Sequence, residues 1–322
     1  MSPQPNFFIV GAPKCGTTSL YEALRQQPLV FMPFDPDNYW KTKEPCHFCP
    51  ELIAREHLAV SDRRTYLQLF ASAGTAQRIG ESSALYLFSK FAANAIYDFC
   101  PSAKIIILLR EPVAMMRSWH ADCLRHGHED VVSFQRAIEL EESRSCGEQL
   151  PRGSGYPQCL QYRAMARFSE QIERYKIRFG PQQVKTVLLD DLKRDPQATL
   201  DSILEFLELP NGSSSQLALH NESVRLSRGQ LLKSRWKNRL RGYTVVRWAR
   251  RYIRTDFDSW LDWGLRPLLR GHIADTPVDT AVNEAFIDQL RQQMASEVER
   301  LANLIERDLS HWQVHSTPLA TM

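Results

Sequence analysis

The chain has no apolar run long enough to cross a membrane. The longest, Ile105-Ile106-Ile107-Leu108-Leu109, has the length of a strand. No charged n-region with an apolar core precedes Phe7, so no secretory leader is read and a cytoplasmic protein is expected. A surplus of one charge is missing too: a net charge of +3 gives no case for nucleic acid as the main partner. The seven cysteines are scattered and odd in number, which argues against a disulfide framework. Cys46 and Cys49 have C-x-x-C spacing, but no second pair follows and His47 between them fits no ligand spacing, so no metal is assigned. Internal repeats and low-complexity tracts are absent. What remains is a globular chain of 322 residues, sized for one large or two small domains.

The most informative stretch is Phe7-Phe8-Ile9-Val10-Gly11-Ala12-Pro13-Lys14-Cys15-Gly16-Thr17-Thr18-Ser19-Leu20, an apolar run that breaks at glycine and restarts as an amphipathic helix through Leu24. It reads as strand, phosphate loop and helix. Gly11 and Gly16 permit tight backbone turns, and the amides of Gly16 to Ser19 at a helix N-terminus form a cradle for a phosphate or sulfate oxyanion. The loop departs from G-x-x-x-x-G-K-[ST], because Thr17 stands where that motif has lysine and the lysine is Lys14. A lysine inside the loop still brings a point charge to a transferred group, while the Mg²⁺-holding geometry of a nucleotide triphosphatase loses its support.

Downstream, strands and helices alternate, which predicts an α/β fold with right-handed crossovers. Pro28–Pro36 reads as a short extended piece and loop, and Tyr39, Trp40 and Lys43-Glu44-Pro45 as a cleft wall. Ser61 is read as the N-cap of a helix through Phe70, Arg78–Ser83 as a strand and polar turn, and Phe91–Phe99 as a helix. Lys104–Leu109 reads as a central parallel strand, with a helix over Val113–Leu124 after it. Further helices are expected at Phe134–Glu142, Tyr156–Phe179, Leu200–Leu207 and Phe286–Leu309, with a strand at Val184–Leu189. From Arg225 to Arg254, arginine and lysine interleave with Trp236, Tyr243, Trp248 and Tyr252. This segment reads as a lid, a helix on a membrane or partner surface, or a solvated helix face.

In open α/β sheets ligands bind beyond the carboxyl ends of strands, where Arg110 follows Leu109. An arginine fork with a helix hydroxyl, Ser118, makes a phosphate clamp, although Ser118 lies roughly 9 Å along a helix that starts near Pro112.

Phe7–Leu24 resembles the 5′-phosphosulfate loop of the sulfotransferase family, and Lys104–His120, with Arg110, Pro112 and Ser118, is similar to its 3′-phosphate motif. The likeness continues through Lys43-Glu44-Pro45, Gly80-Glu81-Ser82-Ser83 with Tyr86, Gly155-Tyr156, Asp190-Asp191-Leu192 and Arg307-Asp308-Leu309-Ser310-His311-Trp312. It covers most of residues 5–210 and the last helix, and is nearest to bacterial soluble members related to the heparan-type carbohydrate sulfotransferases.

The resemblance implies one three-layer, P-loop-like domain over 1–322, with a mainly parallel central sheet flanked by helices and a basic helical insertion or lid near 225–275. It implies 3′-phosphoadenosine 5′-phosphosulfate as donor, with Lys14, Cys15, Gly16, Thr17, Thr18 and Ser19 at its 5′ end, Arg110 and Ser118 at its 3′-phosphate, and no metal. Arg228-Gly229 is read as closing over the nucleotide. The acceptor is expected to be a hydroxyl, less readily an amine, of a carbohydrate, lipid or small metabolite, with Glu44 as base, His47 and His120 as competitors, and Lys43 helping to hold donor sulfate. Three departures stand out: Cys46 and Cys49 where aromatics are common, Met115 where arginine is common, and Ser82 where the heparan-type enzymes carry lysine. The alternatives are a P-loop kinase-like phosphotransferase, against which Thr17 speaks, and a non-catalytic nucleotide-binding or membrane-surface protein.

Overall fold

The structure is a computed structural model that describes residues 3–54, 59–151, 154–210 and 283–313. The basic aromatic segment, the 225–275 insertion, the polar loop at 211–216, Arg228 and Gly229 lie outside the described residues. The chain falls into two compact units, one built from Met1–Met115, Met165–Glu222 and Glu284–Met322, the other from Met116–Ala164 and Ser223–Asn283.

The first unit holds a five-stranded, wholly parallel sheet, flanked by helices, with strand order β2-β3-β1-β4-β5. The strands are β1 (Phe7–Gly11), β2 (Val30–Phe31), β3 (Arg78–Ser82), β4 (Lys104–Leu109) and β5 (Val184–Leu188). β1 and β4 are the interior strands of unbroken apolar character, and Phe7 to Val10 and Ile105 to Leu109 are fully buried, as a strand covered on both faces requires. The chain moves to one side of β1 for β2 and β3 and to the other for β4 and β5. The switch point therefore falls at the carboxyl ends of β1 and β4.

The helices of this unit are α1 (Thr17–Arg25), α2 (Tyr39–Lys43), α3 (Arg63–Gln68), α4 (Ala92–Phe99), the start of α5 (Pro112–His126), α9 (Phe168–Phe179), α10 (Leu189–Arg194), α11 (Pro196–Phe206) and α12 (Glu284–Ile305). α12 buries Ile287, Leu290, Met294, Val298 and Leu301 and packs on α9, where Glu297 accepts the Ser169 N–H at 2.7 Å and Lys176 donates to the Leu304 carbonyl at 2.7 Å. The second unit comprises the rest of α5, α6 (Phe134–Glu139), α7 (Glu141–Ser145) and α8 (Tyr162–Met165, whose last residue is assigned to the first unit). Its polar centre is a buried ion pair: Arg144 grips Glu129 through two bonds of 2.7 and 2.8 Å, and Tyr162 donates to the same carboxylate at 2.7 Å. Burial raises the Glu129 carboxyl, but the Arg144 fork outweighs it and holds the group below its usual range.

Several boundaries differ from the sequence reading. The helix expected at Tyr156–Phe179 is broken: Pro157 opens a 3₁₀ turn, α8 follows, and α9 begins only at Phe168, where its capping partner, Glu297, comes from α12. The Phe134–Glu142 helix divides at Leu140, which sends Glu141 to accept the Arg163 N–H at 2.7 Å. α3 is capped by Asp62, which accepts from the Thr65 amide and hydroxyl at 2.7 Å each, and not by Ser61. α11 starts at Pro196 under an Asp195 cap, earlier than Leu200, and α12 ends at Ile305, short of Leu309. All seven cysteines are among the described residues; none forms a disulfide, and only Cys146, at the end of α7, is exposed.

Candidate active site

The site is assembled where the carboxyl ends of β1, β3 and β4 lie side by side, with Ile9 level with Ser82 on one flank and with Ile106 on the other. The loop from β1 to α1 turns on two glycines in conformations that L side chains rarely adopt, φ +143° at Gly11 and +94° at Gly16. Gly11 has no room for a side chain, and at Gly16 the neighbouring leucine side chains would have to give. A Cβ on Gly11 would lie 2.5 Å from the Ala84 carbonyl oxygen, and one on Gly16 would lie 3.0 Å from Leu189. The Gly16 contact shows that α10 packs directly behind the loop. Lys14 also takes a left-handed conformation, φ 63°, at the crest of the turn.

α1 begins at Thr17 with Gly16 as N-cap, and its first turn has neither a side-chain cap nor an acidic residue. Its N-terminal dipole is thus left to an anion from outside the helix. Thr17 and Ser19 are buried, while Thr18 and Lys14 are half-buried. Cys15 points inward. Burial pushes its thiol up to about 12, although the charges of Arg110 and Lys14 pull the other way, so it is no nucleophile near neutral pH. The backbone of Arg110 reaches that sulfur, which places the β4 strand end against the loop. Glu111 then caps α5, accepting from Val113 at 3.0 Å and Ala114 at 2.6 Å.

The third wall is α2 and the loop after it, a helix the sequence reading did not foresee. Lys43 is completely buried, and its ammonium pairs with Glu44 Oε1 at 2.5 Å while lying 6.0 Å from the Tyr21 ring and 5.7 Å from Trp40. Lys43 is thus engaged by Glu44. Glu44 keeps 26% of its side chain exposed, its N–H held by the Trp40 carbonyl at 2.8 Å. His47 stacks on Tyr66 at 4.2 Å and its Nδ1 donates to the Val60 carbonyl at 2.6 Å, so that Nε2 carries the lone pair. Burial depresses its pKa and keeps the ring neutral.

Beneath this loop lies Glu81, named in the sequence only as part of a matched segment. Its carboxylate is 1% exposed and accepts from Ser83 at 2.6 Å and from Tyr66 and Tyr86 at 2.9 Å each. Burial, with a smaller contribution from the charge of Glu44, raises its pKa to about 7 against the pull of the three hydroxyls. The signal available in sequence was a glutamate inside the short strand Arg78–Ser82, next to a polar turn. Next to it, Ser82 is fully buried and its Oγ has no hydrogen-bond partner among the described residues.

Two sequence candidates fall in the second unit. Ser118 is half-buried on α5. His120 is buried, its Nε2 bonded to the Val131 carbonyl at 2.8 Å, and its ring packs on Phe134 and Tyr162; burial lowers its pKa. These contacts fix the orientation of the ring. Met115 is fully buried core. Among the described residues no cluster of histidine, cysteine and carboxylate side chains has the makings of a metal site, and no helix is long and apolar enough to cross a membrane.

Comparison with known proteins bears on family and fold. Carbohydrate sulfotransferase 15 of Homo sapiens is 26% identical over 267 aligned residues, covering 68% of this chain and 46% of the relative. The bifunctional heparan sulfate N-deacetylase/N-sulfotransferase 3 of Homo sapiens is 28% identical, over 63% of this chain and 22% of its own length. The chain thus spans less than half the length of these two relatives. The crystal structure of a sulfotransferase from Alicyclobacillus acidocaldarius superposes with a TM-score of 0.67 at 27% identity, covering 97% of this chain and all of that one. With residues 5–212, the span that contains all five described strands and the loop from β1 to α1, matching the model of the Sulfotransferase family, the chain belongs to that family.

Proposed function

We propose that the chain transfers a sulfuryl group from 3′-phosphoadenosine 5′-phosphosulfate to a carbohydrate hydroxyl, with an amine as the less favoured acceptor. The observation that carries this reading is the uncapped, carboxylate-free start of α1 behind Lys14, a cradle for the donor's 5′ end, with Arg110 at the neighbouring strand end for its 3′-phosphate. The names of the relatives support the carbohydrate. Lys14, Cys15, Gly16, Thr17, Thr18 and Ser19 line the 5′ end. Ser118 joins Arg110 in this reading through the sequence motif alone.

The reaction is an in-line displacement. A lone pair of the acceptor oxygen forms the new O–S bond, the bond from sulfur to the bridging phosphate oxygen breaks, and 3′,5′-phosphoadenosine leaves with that electron pair. Lys14 stabilises the charge that grows on the bridging oxygen. Glu44 takes the acceptor proton: its carboxylate is partly exposed, and the buried Lys43 ammonium holds it in one orientation. Neutral His47, with Nε2 unprotonated, is the second group on the same loop able to accept a proton.

The test combines binding and turnover. 3′,5′-Phosphoadenosine should bind more tightly than Mg²⁺-ATP, and the reverse order overturns the reading in favour of a phosphotransferase. Lys14→Ala should lower turnover about 100-fold or more with folding unchanged. Glu44→Gln should retain nucleotide binding and lose at least about 100-fold in transfer; full activity would move the base to His47.

A further inference from the structure

We infer that Glu81 is a positioning residue for the loop that carries the base. The inference rests on the reading of Glu44 given above.

The carboxylate lies beneath the Glu44–Phe48 segment and is joined to it by two relays. Ser83 donates to Glu81 at 2.6 Å and its Oγ accepts the Cys46 N–H at 3.0 Å. Tyr86 donates to Glu81 at 2.9 Å and its hydroxyl accepts the Phe48 N–H at 3.3 Å. A third hydroxyl, Tyr66, donates to the carboxylate at 2.9 Å and offers its ring face to His47 at 4.2 Å. One buried carboxylate thus touches, through a single intervening side chain each, the residues before, at and after His47.

The ionised form sets the direction of every bond in the relay. A carboxylate only accepts, so all three hydroxyls turn their protons towards it, and the oxygens of Ser83 and Tyr86 are left as acceptors for backbone N–H groups. A carboxyl group that kept its proton would need one of these hydroxyls to accept instead. If that hydroxyl were Ser83 or Tyr86, it would then offer its own proton where a backbone N–H points. The loop has need of such a hold, because Cys46 sits at φ 50°, a conformation that a non-glycine residue keeps only where its surroundings fix it. Glu44 is held on its other side by the Trp40 carbonyl and the Lys43 ammonium. Without the Glu81 relay the segment after Glu44 keeps the Val60 bonds to the Pro45 carbonyl at 2.7 Å and to His47 at 2.6 Å but loses its hold at Cys46 and Phe48, so the Glu44 carboxylate is less sharply placed relative to the acceptor.

The experiment compares Glu81→Gln, Ser83→Ala and Ser83→Thr with the parent protein in three measurements. These are binding of 3′,5′-phosphoadenosine, amide exchange at Cys46 and Phe48, and formation of 3′,5′-phosphoadenosine from the sulfated donor with desulfated heparin, chondroitin and water as competing acceptors. Glu81→Gln should speed exchange at both amides about tenfold, and Ser83→Ala should do so at Cys46 alone. Both should lower kcat about tenfold while nucleotide affinity stays within about twofold, and Ser83→Thr, which keeps the hydroxyl, should restore kcat. Unchanged exchange in Glu81→Gln overturns the relay. Loss of nucleotide affinity in step with turnover marks a purely structural residue and also overturns it. Normal turnover in Glu44→Gln removes the base itself, and with it the catalytic half of the inference, whereas the exchange rates report the relay whichever group takes the proton. If Glu81→Gln does not fold, Ser83→Ala and Ser83→Thr still decide the question, since Glu81 and both tyrosine bonds remain in them.

Discussion

At the scale of single residues, the site holds two kinds of carboxylate. Glu44 is partly exposed and paired with a cation; Glu81 is buried among hydroxyls, and its pKa is raised from 4.5 to about 7. A raised carboxylate is a cost to the folded state once it ionises. Its favourable contribution is complete below pH 4.5 and is lost as the pH climbs through about 7, by about 3 kcal/mol in all for a buried group. Glu44, Tyr66, Tyr86 and Ser83 are the charged and polar groups facing it. Glu81→Gln should therefore unfold more easily than the parent at pH 5 and recover much of the difference by pH 8, as read by urea melts at the two pH values. A constant difference would contradict the assignment. The legible residues were those whose chemistry is local. Lys14, Gly16 and Arg110 announced themselves by spacing from a strand end: the first two follow β1 and the third follows β4, its neighbour in the sheet. Glu81 was not legible in that way, since its partners Tyr66, Ser83 and Tyr86 become neighbours only when β3 is docked beside α3 and its own following turn.

At the scale of elements, strands read better than helices, for a physical reason. β1 and β4 are continuous apolar runs because both faces are covered, and the short length and β-branched isoleucines of Ile105 to Leu109 favour a strand over a buried helix. Helix boundaries depend on caps, and some caps arrive from afar. Glu297 meets the amide of Ser169 from a distant stretch of chain, so the break before α9 has no local signature. Asp62 and Asp195 were visible caps beside competing ones, Ser61 and the later apolar pattern from Leu200. In the second unit the helices are tied by the Glu129–Arg144 pair, whose side chains are both 0% exposed. Arg144→Met leaves a carboxylate buried with only Tyr162 and backbone donors, and should cost about 3–5 kcal/mol in chemical denaturation. Adding Glu129→Leu to Arg144→Met should return most of it, because removing both charges also removes the uncompensated one. A double variant as unstable as the single one would show that packing, and not charge, sets the cost.

At the scale of the whole molecule, the first unit is gathered from three separated stretches of chain. Trp312 donates to Asp190 at 2.7 Å and Arg307 pairs with Asp191 at 2.9 Å, so α10, the helix packed behind Gly16, is held from the far end of the sequence. Contacts of such separation must wait for most of the chain, which predicts slow folding with burial of Trp312 as a late event, followed by its fluorescence against a Trp312→Phe control. The thiols offer a last consequence. Six of the seven are buried, the loop cysteine among them, and Cys146 alone is exposed. The native protein should accordingly take up a single maleimide, at Cys146, and seven once unfolded, as counted by intact mass. A dye attached there would report on the second unit while leaving the phosphate loop chemically untouched, giving a spectroscopic handle that needs no cysteine to be engineered in or out.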